Sequence, residues 1–167
     1  MPDRAPKFDP RALLATLDRH RVTYIVIGAF ARVVQGADEV TRGVDIVPST
    51  REENLRRLDA ALRELGAHGQ EGTEPDLAGS PTLEPVSEFM TDYGELKVIP
   101  EPEGTQGYED LRRAATREPL GQGLRPSVAS LGDLSRMLSA LGREEDIPKV
   151  LTMRRLVELE IGHGIEL

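Results

Sequence analysis

The chain has no cysteine and no tryptophan, and only three phenylalanines and three tyrosines among 167 residues. Without cysteine there are no disulfides and no thiolate metal sites. With 4% aromatics, the core has to be built from Leu, Val, Ile and Ala. No run of roughly 18 apolar residues and no charged-then-apolar leader is present, which argues against a membrane span or a secretion signal. A cytoplasmic protein that does not touch membranes is the expectation. Positive charge is also short: 21 Lys and Arg against 29 Asp and Glu give a net charge of −8. Such a chain repels phosphate backbones, so extensive nucleic-acid binding is not expected. Neither a Walker-type loop, a dinucleotide fingerprint nor a Ser-His-Asp arrangement is found, and the three histidines lack metal spacing.

What is there reads as alternating strands and helices in a chain long enough for one domain with a real core. Asp9-Pro10 predicts a helix over 10–20 with Leu13, Leu14 and Leu17 inward. Residues 23–27 form an apolar, β-branched run, expected as a central strand buried on both faces. Gly28 ends it, Ala29 to Gln35 makes a short helix, and 44–47 is a second strand stopped by Pro48. Thr50 and Glu53 have capping-box spacing ahead of a helix over 51–66 that carries Leu55, Leu58, Leu62 and Leu65. Residues 70–85, poor in large apolar side chains, are expected as a mobile surface excursion. Strands 86–91 and 95–99 form a hairpin around Asp92-Tyr93-Gly94, followed by a helix over 108–115. Two helices close the chain: one from Ser130 with Leu131, Leu134, Met137, Leu138 and Leu141 inward, one over 146–160 with Ile147, Val150, Leu151, Met153, Leu156 and Val157.

Four pieces in order carry a resemblance: Tyr24-Ile25-Val26-Ile27-Gly28-Ala29; Thr41-Arg42-Gly43-Val44-Asp45; Tyr93-Gly94-Glu95-Leu96-Lys97, then Gly107-Tyr108-Glu109-Asp110-Leu111; and Ser130-Leu131-Gly132-Asp133-Leu134 with Met137 and Gly142-Arg143-Glu144-Glu145-Asp146. Together they resemble the nucleotidyltransferase fold, in particular small bacterial proteins of the AbiEii-type toxin family, over most of the chain from Thr23 to Asp146. The resemblance implies an α/β fold: a mixed sheet of four or five strands flanked by helices, with a C-terminal helical appendage. Residues 1–125 would be the nucleotidyltransferase-like core, and 126–167 a helical segment packed on it.

In that family a glycine-ended strand and a small residue receive a nucleotide, and three carboxylates hold Mg²⁺. By resemblance, Gly28, Ala29, Thr41 and Arg42 are the nucleotide-binding positions and Asp45 is the surviving catalytic carboxylate. Two metal ions about 4 Å apart need several carboxylates on a rigid platform. Here the other two carboxylate positions hold Gly43 and Lys97. No metal is therefore expected; if any were held, Asp45 and Glu95 would hold it. Lys97 and Asp45 are expected on neighbouring strands, ion-paired, with Gly43 leaving a notch beside them. The implied function is a non-catalytic or severely impaired module, a pseudoenzyme that binds a nucleotide or serves as a partner subunit. The alternative is an active enzyme, using Mg²⁺ and a nucleoside triphosphate to modify a protein or small molecule in a toxin–antitoxin-like pair.

Overall fold

Asp9 starts the first helix. Its carboxylate accepts the Ala12 N–H at 3.1 Å, and Pro10 takes the first helical position of α1 (Pro10–Arg19). β1 (Tyr24–Ile27) is buried at all four residues. α2 (Gly28–Val34) follows directly, then β2 (Gly43–Pro48) and α3 (Glu52–Glu64). β3 (Ser87–Thr91) and β4 (Gly94–Val98) form the expected hairpin. After α4 (Tyr108–Leu111) come two short strands, β5 (Thr116–Arg117) and β6 (Ser127–Val128), and then α5 (Leu131–Ala140) and α6 (Ile147–Ile165). This computed structural model describes residues 7–165, so the expected segments 1–125 and 126–167 each run beyond the described residues at one end.

The six strands make one mixed sheet in the order β3-β4-β2-β1-β6-β5. β1 lies inside it, antiparallel to β2 and parallel to β6. β2 runs parallel to β4. The sheet therefore has six strands where four or five were expected. β5 and β6 have two residues each, too few for an alternation to show in sequence. Their pairing also shortens α4, because the chain leaves the helix after a last turn onto the Leu111 carbonyl and enters the sheet at Thr116.

α1 packs on α3, and α5 on α6. Leu58, Leu62 and Leu65 of the α3 region are at most 1% exposed, each contributing about 2 kcal/mol of burial free energy. The capping box does not form. Arg51 holds the cap position without a side-chain hydrogen bond, and Glu53 pairs instead with Arg57 one turn on. An exposed i,i+4 ion pair competes for the same carboxylate and wins. In α6 the inward face is centred on Met153, fully buried, with Val150 and Val157 beside it. That choice turns Ile147 and Leu151 outward, contrary to expectation, and Leu141 at the end of α5 is exposed as well.

The excursion over 70–85 is tied down in its middle. The buried Asp59 accepts the backbone N–H groups of Leu77 and Ala78 at 2.8 and 2.9 Å, and Leu77 is itself buried. An anchor from the middle of α3 offsets the scarcity of apolar side chains in the segment.

Candidate functional site

The site begins where β1 turns into α2. Gly28 has φ +75°, a left-handed conformation that costs a side-chain-bearing residue about 1–3 kcal/mol. The antiparallel register sets Asp45 opposite Ile27. Its carboxylate lies over Gly28 so closely that a Cβ there would collide with Oδ2. Conformation and space thus both demand glycine, and the glycine and Asp45 form one unit.

Lys97 is registered opposite Asp45 on the other flank of β2, as expected. The ion pair expected between them is not formed. Lys97 lies between two carboxylate-bearing strands, and its Nζ is 3.8 Å from Glu88 Oε1 on β3, its antiparallel partner. Glu88 was missed in the sequence, although counting back from the turn places it opposite Lys97. The notch expected at Gly43 is absent too. β2 and β4 approach so closely there that a Cβ would lie 2.5 Å from the Glu95 carbonyl oxygen and 2.8 Å from its Cβ.

Burial pushes the Asp45 carboxyl above the ordinary carboxylate range. Lys97 and then Arg32 draw it down, while Glu95 and Glu88 add to the rise. Because the folded chain holds this proton more tightly than the unfolded one, ionised Asp45 costs stability at neutral pH, and the cost disappears on acidification below the unfolded pKa. Asp45→Asn should therefore unfold at higher urea than the parent at about pH 7, with the gap closing toward about pH 4. Equal urea midpoints across this range would contradict the assignment.

Beside the Gly28–Asp45 unit opens a cleft of about 320 Å³ between the sheet and α5. Gly28, Ala29 and Asp45 line one wall and Leu134, Met137 and Leu138 the opposite one. Arg32, one turn into α2, and Arg143, after α5, reach it as well. Both were outside the expected site, although Arg32 stands four residues from Gly28 and hence on the same helical face. Each guanidinium is already engaged. Arg32 forms a two-pronged pair with Glu39 at 2.7 and 3.0 Å, and Arg143 meets the buried Asp146 at 2.6 Å.

Thr41, Arg42 and Glu95 do not line this cleft. The Thr41 hydroxyl donates to the Gly43 carbonyl at 2.8 Å and shapes the entry to β2. Arg42 is exposed, its carbonyl accepting the Glu95 N–H. Glu95, with Glu88, Lys97 and His68, lines a separate depression of about 300 Å³ along β3 and β4. Among the described residues no three His, Asp or Glu side chains come together as metal ligands. The donor set at Asp45, with one carboxylate, a lysine in register and a closed strand pair at Gly43, does not fit a pair of divalent metals.

No family model and no curated protein matches the chain. Solved structures do. A putative nucleotidyltransferase, TM1012 from Thermotoga maritima, superposes with a TM-score of 0.57 at 16% identity, over 92% of this chain and 96% of that one. The antibiotic-resistance factor ANT(2'')-Ia gives 0.59 at 15% identity, over 93% and 83%. The lincosamide antibiotic adenylyltransferase LnuA, solved with lincomycin bound, gives 0.59 at 15% identity, over 90% and 99%. With the mixed sheet, the glycine turn against Asp45 and these neighbours, the chain has the nucleotidyltransferase fold.

Proposed function

We propose that this chain is a nucleotidyltransferase-fold module that has given up metal-dependent nucleotidyl transfer and acts in the cytoplasm by binding, of a nucleotide or of a partner subunit in an AbiEii-like toxin–antitoxin pair. The observation that carries this is the pairing of β2 with β4: Lys97 stands opposite Asp45, and Gly43 is pressed against Glu95. Transfer in this fold would draw on Mg²⁺ and a nucleoside triphosphate, with the metal neutralising phosphate charge. One carboxylate beside an ammonium cannot offset the cost of stripping water from Mg²⁺. Asp45 and Gly28 then serve as the wall of a binding cleft, with α5 of the C-terminal segment facing it.

Incubation with each labelled nucleoside triphosphate, Mg²⁺ or Mn²⁺ and candidate protein or small-molecule acceptors should give no covalent label, and Mg²⁺ with triphosphate should not raise the unfolding temperature. Label transfer abolished by Asp45→Asn would instead establish an active nucleotidyltransferase in which Asp45 is an essential carboxylate.

A further inference from the structure

The cleft beside Gly28 has a composition that points to a ligand class. Its walls are mainly aliphatic: Ile27 and Ile99 from the sheet, and Leu134, Met137 and Leu138 from α5. Leu141 and Val86, each 45% exposed, form an apolar rim. At about 320 Å³ the space lies at the small end of the range, roughly 300–1,000 Å³, that holds drug-sized molecules.

Five ionisable side chains line it: Arg32, Arg143, Asp45, Glu101 and Glu103. Both cations are taken. The Arg32 and Glu39 side chains are 10% and 13% exposed and bind each other two-pronged, while Arg143 is held by an Asp146 side chain only 2% exposed. Lys149 approaches the same two carboxylates at 3.9 Å and further secures them. None of the three cleft carboxylates makes a hydrogen bond or an ion pair among the described residues. The uncompensated charge of the cleft is thus negative throughout. An anion entering it meets repulsion from the three carboxylates, while the charge of each arginine is already largely offset by Glu39 or Asp146 beside it. A protonated amine attached to an apolar ring meets complementary chemistry at both ends, aliphatic contact for the ring and a half-buried carboxylate for the charge.

We propose that this cleft is the binding site for a small ring-bearing amine, its ring against Leu134, Met137 and Leu138 and its ammonium on Asp45. The inference rests on the reading of the chain as a non-transferring binding module and names the ligand chemistry of that same site.

Three indoles with the same two-carbon arm test it: tryptamine, tryptophol and indole-3-propionate, which differ in carrying an ammonium, a hydroxyl or a carboxylate. Each is titrated into the full chain at neutral pH and followed by amide chemical shifts. Tryptamine should bind at least about tenfold more tightly than tryptophol, the worth of a charge-assisted hydrogen bond. Indole-3-propionate should bind weakest, and shifts should cluster around residues 27–29, 45 and 134–141. In Asp45→Asn the preference for tryptamine over tryptophol should fall to about twofold or less; in Glu101→Gln/Glu103→Gln it should shrink but persist. Equal binding of amine and alcohol, tightest binding of the propionate, no binding of the amine, or a preference untouched by Asp45→Asn would each overturn the proposal. Amine selectivity together with label transfer from a triphosphate would overturn the non-transferring reading and leave the ligand assignment standing. Absence of both would do the reverse.

Discussion

Asn54→Ala should lower the stability of the chain by roughly 1.5–4.5 kcal/mol and the unfolding temperature by about 10 °C. The carboxamide is 5% exposed and joins three elements at once. Its Oδ1 accepts the Thr23 N–H at 2.7 Å, and its Nδ2 donates to the carbonyls of Thr23 and Ser49 at 2.9 and 2.7 Å. The Thr23 carbonyl keeps a second donor, the Ser49 N–H. Truncation therefore orphans the buried Ser49 carbonyl, costing about 1–3 kcal/mol, and removes the partner of the more exposed Thr23 N–H, costing about 0.5–1.5 kcal/mol. These groups bound the start of β1 and the end of β2, so the loss falls on the strands that carry Gly28 and Asp45. Urea denaturation of the two proteins checks it; a loss below about 1 kcal/mol would mean that water replaces the carboxamide.

The double substitution Gly43→Asp with Lys97→Asp, which restores three carboxylates on paper, should fail to create a metal site. It should cost about 1–3 kcal/mol, because any Cβ at position 43 has to push the Glu95 backbone away. Backbone yields less readily than a side-chain tip, and β2 and β4 are hydrogen-bonded partners inside the sheet. Lys97→Asp alone, at a side chain 41% exposed, should cost up to about 1 kcal/mol, because it puts a carboxylate opposite both Asp45 and Glu88. Urea midpoints with and without Mg²⁺, and calorimetric titration of Mg²⁺, separate the outcomes. A double variant that keeps its midpoint and binds Mg²⁺ would show that only the carboxylates were missing.

The strands that build the site were readable because each is an apolar run bounded by a turn residue. β1, β2 and the β3–β4 hairpin follow from that pattern; that Asp45 and Lys97 stand on adjacent strands was implied by the family resemblance alone. The choice of ion-pair partner was not readable, since Lys97 has Asp45 to one side and Glu88 to the other and side-chain reach decides between them. Nor was the closeness of β2 to β4 at Gly43, which depends on tertiary distance. Arg32 is the lone charge of an otherwise apolar short helix, and Arg143 was visible only as part of a motif, so neither pointed to the cleft from its sequence neighbours. Their roles come from Glu39 and Asp146, carboxylates that only the fold brings close and buries. The outward turn of Ile147 and Leu151 likewise depended on which face of α6 meets α5.

The contact between Gly28 and the Asp45 carboxylate also constrains how this sequence can drift. No side chain fits at position 28 while the carboxylate lies over it, whatever chemistry the cleft performs. A lineage that shortens Asp45 first removes the collision and leaves only the strain of the left-handed backbone at Gly28, whereas the opposite order meets both. Selection against misfolding alone would thus preserve the glycine for as long as the aspartate remains, whether or not the cleft catalyses.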